Sequence, residues 1–157
     1  MKLKAYIASP YGFSESTKHF MENIYIPRLK KIVDIINPFD LTTLEEVIKA
    51  EKEGREKEFA MEIGKRNKEA IKASDIVIAA LDGQEVDSGT AAEIGYAAGI
   101  GKKIYGYRTD FRQTGEKGAV VNLQVQYFIE ASGGSIVSKL DKLEDLLKKH
   151  IVKPFTR

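Results

Sequence analysis

The chain has 157 residues, which fits one domain over 1–157 and a core large enough to need no staple. It holds no cysteine and only two histidines, His19 and His150, so disulfides, thiolate metal sites and a cysteine nucleophile are excluded, and no metal or other cofactor is expected. With 25 basic and 23 acidic residues the net charge is +2, too balanced for a nucleic-acid or membrane surface.

Residues 3–8 read as a buried strand that Ser9-Pro10-Tyr11-Gly12 ends in a loop. Residues 14–31 have helical character, with a break expected near Ile26-Pro27. A second apolar run, 32–36, is closed by Asn37-Pro38. Thr42-Thr43-Leu44-Glu45 is a capping signal for a helix. That helix is densely charged and solvated over 45–62, and its periodicity continues to residue 73 through Met61, Ile63 and Ile71. Ile76-Val77-Ile78-Ala79-Ala80-Leu81 is the clearest strand. The loop 82–88 then opens a helix to about residue 100, followed by a strand at 103–107. A helix over 119–130, a short strand at 135–137 and an amphipathic helix over 140–150 close the chain.

Strands alternating with helices predict a single-domain α/β fold: a flavodoxin- or Rossmann-like, five-stranded parallel sheet with helices on both faces. No segment is apolar for long enough to span a bilayer, and the chain opens with no signal-peptide pattern. A cytoplasmic protein is expected. In open parallel sheets ligands sit at the carboxyl ends of the strands, so the loops after residues 8, 81 and 108 are the ones to inspect.

The second of these loops carries the densest chemistry, Asp87-Ser88-Gly89-Thr90-Ala91-Ala92-Glu93. Asp87 and Ser88 are good helix N-caps. Gly89, Ala91, Ala92 and Ala97 are small and leave room for an approaching molecule. Glu93 falls above Gly89 and Thr90 on one helix face, leaning back towards the strand ends. An ionised carboxylate facing a pocket can act as a nucleophile or a base. Singly, each of these residues reads more readily as an ordinary cap or surface side chain than as a catalytic group.

The run from Asp87 to Ala97, Asp-Ser-Gly-Thr-Ala-Ala-Glu-Ile-Gly-Tyr-Ala, resembles the signature of the nucleoside 2-deoxyribosyltransferases. Ala5-Tyr6-Ile7-Ala8, Asp75, Leu81-Asp82-Gly83, Tyr105-Gly106-Tyr107-Arg108-Thr109-Asp110, Asn122-Leu123 and Tyr127-Phe128 extend the resemblance over nearly the whole chain. It implies that Glu93 attacks C1' of the sugar and that Tyr6 hydrogen-bonds and positions it. It implies that Asp87, beside Gly89, binds sugar hydroxyls and that Asn122 reaches the 5' end, usually in a neighbouring subunit's site. The loop from Ser9 to Phe13 would cover the base, with Tyr11 and Phe13 offering stacking faces. Many members carry an aspartate at the position of Asn67 that protonates the departing base. Asn67 has no such proton, so Asp82 or water would supply it.

The implied substrates are a 2'-deoxynucleoside and a free nucleobase, and the implied assembly is a homo-oligomer with shared sites. The alternatives are a 5'-nucleotide N-glycosidase, disfavoured because 9–13 lacks a basic residue, and a non-catalytic nucleotide-binding module. The cluster Lys65, Arg66, Lys68 and Lys72, interleaved with Glu62 and Glu69, reads as a solvated helix face.

Overall fold

A computed structural model of the chain describes residues 2–152. Five parallel strands form one sheet: β1 (Lys4–Ala8), β2 (Asp34–Ile36), β3 (Ile76–Ala80), β4 (Lys103–Tyr107) and β5 (Ile136–Val137), in the order β2-β1-β3-β4-β5. β3 is buried at every position, as its unbroken apolar run requires of a central strand covered on both faces. Ile7 pairs with Ile78, and Ala79 with Gly106, so these three strands end nearly level.

The helices divide between the two faces. On one side, α1 (Glu15–Phe20) and α2 (Ile26–Lys30) pack with the C-terminal α7 (Leu140–Val152) over Ala5, Ile7, Ile76, Ile78 and Tyr107. Arg28 ties α2 to α7 through Glu144 at 2.7 Å. On the other side, α4 (Glu56–Ala73), α5 (Ser88–Gly99) and α6 (Leu123–Ala131) bury Ile71, Ile94, Val125 and Ile129 against Tyr6, Val77 and Ala79. The short α3 (Leu44–Lys52) packs on α4.

Four details differ from the sequence reading. Proline does not interrupt the helix near residue 26; Met21–Tyr25 forms a π turn, and Pro27 falls in the first turn of α2, where its missing N–H costs nothing. The charged helix is two helices, because Gly54 takes a left-handed φ of 65° after α3 ends. The capping box lies one residue later than the motif suggested: Thr43 caps α3 and Glu46 returns the bond to its backbone N–H at 2.8 Å. The helix expected from residue 119 begins at Leu123, after Asn122 has capped it. No helix among the described residues is long and apolar enough to cross a membrane.

From β1 the chain passes outward to β2, then returns to β3 on the opposite side of β1. The connections leaving β1 and β3 therefore diverge and open a crevice at the carboxyl edge. The motif residues lie at this edge.

Candidate active site

Tyr6 and Glu93 come together across 87 residues of sequence. Tyr6 projects from β1 with no exposed surface, and its hydroxyl donates to Glu93 Oε1 at 2.6 Å. Glu93 stands in the second turn of α5, one residue before fully buried Ile94. Ile94 packs into the core that Tyr6 shares, which fixes the rotation of α5 and turns the carboxylate to the tyrosine.

Burial raises the pKa of Glu93 above the ordinary glutamate range, and the neighbouring Asp87 charge adds to that. The Tyr6 hydrogen bond works the other way and stabilises the ionised form. Tyr6 is held well above the usual phenol range by burial first and by Glu93 second, so it stays a hydrogen-bond donor. The pair is a desolvated carboxylate with one fixed donor on one oxygen. Such a group can attack an electron-poor carbon or balance a developing positive charge.

Asp87 is the N-cap of α5; its Oδ2 accepts from Thr90 N at 2.9 Å and from Thr90 Oγ1 at 3.2 Å. A Cβ at position 89 would come within 3.2 Å of that oxygen, so Gly89 keeps it uncrowded. Asp87 thus caps the helix and also charges the surroundings of Glu93.

The first loop is anchored more deeply than its sequence suggested. Ser9 is buried and its Oγ accepts from Tyr11 N at 3.1 Å. Tyr11 is buried too, with its ring edge-to-face against Phe20 and Tyr25, each at 5.8 Å. It therefore anchors the loop and leaves almost no ring surface exposed for stacking. Phe13, by contrast, is 78% exposed and touches Phe39 edge-on at 5.1 Å. Gly12 makes that contact possible, since a Cβ there would lie 2.4 Å from the Phe39 ring.

Asp82 accepts from Tyr11 Oη at 2.7 Å, from Asp110 N at 2.8 Å, and from both the backbone N–H and the hydroxyl of Thr109. Asn67 lies on α4 with its Oδ1 buried and, among the described residues, without a hydrogen-bond partner. Asn122 is exposed at the start of α6, where its Oδ1 caps Gln124 N at 3.0 Å. Its described contacts are with its own helix.

Two residues without an assigned role in the sequence analysis join this edge. Arg108 is 4% exposed, and its guanidinium donates to the carbonyls of Leu81, Gly83 and Arg112. Thr109 supplies two of the four donors to Asp82. The available signal was a polar pair directly following an apolar strand at the carboxyl edge.

The sequence profile described as nucleoside 2-deoxyribosyltransferase matches residues 5–144. The chain belongs to the nucleoside 2-deoxyribosyltransferase family. No curated protein matches its sequence. Among solved structures, this family member is similar to a conserved protein from Enterococcus faecalis V583, with a TM-score of 0.65 at 24% identity, covering 96% of this chain and 99% of that one. It is similar to a 2-deoxyribosyltransferase from Bacillus psychrosaccharolyticus, with a TM-score of 0.61 at 20% identity over 90% of each chain. It is also similar to the CMP N-glycosidase BcmB of Clostridium botulinum, with a TM-score of 0.56 at 21% identity, over 96% of this chain and 99% of that one. At these identities the likeness to the three structures speaks for the fold. The family assignment rests on the sequence profile, whose span includes Tyr6, Asp87, Glu93 and Asn122.

Proposed function

We propose that the protein transfers the 2-deoxyribosyl group between nucleobases, with Glu93 as the nucleophile. The observation that carries this reading is the 2.6 Å hydrogen bond from Tyr6 to a desolvated Glu93 inside the family's motif. A Glu93 oxygen would bond to C1' while the C1'–N bond breaks and its electron pair leaves with the base, which takes up a proton. The positive charge that develops on the sugar is what a carboxylate stabilises before capturing it, as in retaining glycosidases. The incoming base then attacks C1' through nitrogen, expels the carboxylate and gives up its proton. Two inversions leave the configuration unchanged.

In this reading Tyr6 aims Glu93, and Asp87 holds sugar hydroxyls through Oδ1, the oxygen that does not cap Thr90, with Gly89 leaving room beside the carboxylate. The 9–13 loop with Phe13 covers the base, while Ser9 and Tyr11 hold that loop in place. Asn67 would contact the substrate from α4. Asn122 would serve the 5'-hydroxyl of a neighbouring subunit's substrate, consistent with its exposure at the head of α6.

Water in place of the second base would make the same site a hydrolase. Incubation with a 2'-deoxynucleoside and a different free base, followed by chromatography, separates the two. Transfer predicts a new deoxynucleoside; free deoxyribose formed at one rate with or without acceptor base would replace the transferase reading with hydrolysis.

A further inference from the structure

Asp82 and Arg108 sit where β3 and β4 end side by side, since Ala80 pairs with Tyr107. The two residues make opposite sets of bonds. Asp82 receives four donors: two backbone N–H groups and the hydroxyls of Tyr11 and Thr109. Arg108 gives its N–H groups to three backbone carbonyls, from Leu81, Gly83 and Arg112. The loop after β3 is thus bound to the segment 109–112 through a buried cation and an anion that hold different partners.

Only Asp82 extends this brace to a third loop. Its bond to Tyr11 spans 71 residues and reaches the segment that also holds Ser9 and Phe13. All four of its contacts run towards the carboxylate. That is the arrangement of an anion used as an anchor.

We propose that Asp82 is a positioning residue that locks the 9–13 loop to the 109–112 loop, and that it does not donate the proton to the leaving base. This rests on the activity proposed above. The lock fixes the base cover before substrate arrives and restricts water at the sugar, which is the condition for transfer to outrun hydrolysis. Without the carboxylate, Tyr11 keeps its aromatic packing and loses the hydrogen bond that ties it across the edge. In Asp82→Asn the NH2 stands either against the two backbone N–H groups or against the hydroxyls of Tyr11 and Thr109, which must then turn round to accept; in both cases the charge-assisted bonds of the carboxylate are lost.

The test uses Asp82→Asn and Tyr11→Phe with two substrates, 2'-deoxyguanosine and 7-methyl-2'-deoxyguanosine. The methylated base is already cationic and departs without a proton from the enzyme. Amide hydrogen exchange of the two loops, without substrate, is measured alongside. The lock predicts that both variants lose transfer by on the order of tenfold with either substrate, that hydrolysis rises as a share of turnover, and that amides in 9–13 and 109–112 exchange faster. An acid role predicts a loss confined to Asp82→Asn and absent with the methylated substrate; that pattern would overturn the proposal. Unchanged exchange of the 9–13 amides in both variants would also overturn it. If wild-type protein released no base from either substrate, the proposed activity would fall, and the exchange data would still decide whether the lock exists.

Discussion

Glu93 pays a desolvation cost that a neutral side chain in its place would not. Its pKa is raised mainly by burial, with Asp87 adding to the rise. The folded chain therefore holds a proton over a pH range in which the unfolded chain has lost it, so stability falls as pH rises through that range. Above the raised pKa the whole penalty is present; below the ordinary glutamate range it vanishes. Glu93→Gln should accordingly melt higher than wild type at pH 7, with the gap closing as the pH is lowered through the carboxylate range. The same variant should lose nearly all transfer, because an amide oxygen cannot form the sugar ester. The wild-type rate should fall on the acid side with a midpoint above that of an ordinary glutamate. Thermal melts and rate profiles across pH check both halves. A Glu93→Gln variant that melts below wild type at pH 7, or keeps substantial transfer, contradicts this account.

At this scale the sequence was legible where a residue's role depends on a local motif. Glu93, Asp87 and Gly89 lie within seven residues, and their spacing on one helix start could be read directly. Tyr6 needed the family resemblance, because a tyrosine in a buried strand has no feature of its own that points 87 residues ahead. Tyr11, in a Pro-Tyr-Gly loop, reads from sequence as a stacking face for the base. Its burial depends on Phe20 and Tyr25, contributed by the helical segment that follows.

Among the elements, α5 combines structural and functional demands most closely. Asp87 gives up one oxygen to Thr90 as a cap, so its two roles can be separated by substitution. Asp87→Ala should cost about 1 kcal/mol of stability through the lost cap, and should weaken sugar binding, seen as a higher KM. Serine is an equally good cap but carries no charge and reaches less far. Asp87→Ser should therefore regain the stability in urea unfolding while leaving KM high. Recovery of both by serine would reduce Asp87 to a cap alone. Element types were legible because the strands are short apolar runs between clear turns. Boundaries were less so: the split between α3 and α4 hangs on the left-handed Gly54, and charged residues on both sides keep the same pattern. Residues 119–122, apolar enough to read as helix, form an irregular bend before α6; Val121 is fully buried there and Val120 N donates to Gln126.

For the whole molecule, α6 raises the question of assembly. Its inner side buries Val125 and Ile129, while Leu123 and Tyr127 are 52% and 62% exposed beside Val120. One buried face does not account for that outer apolar surface. Asn122 is exposed at the same end of the helix, with its side chain capping its own backbone. If α6 meets a second copy, Asn122 can be delivered to that copy's site. Light scattering should then find a homo-oligomer, and Tyr127→Lys should give smaller particles with little activity. The decisive measurement mixes two inactive variants, Glu93→Ala and Asn122→Ala, unfolded together and refolded. In a mixed pair with exchanged Asn122, one site unites an intact Glu93 with an intact Asn122, and the other has neither. Activity should return on mixing, although each variant alone stays inactive. Sites complete within one chain would always lack one of the two residues, so a mixture no more active than its components would refute the shared site even if the protein proved oligomeric.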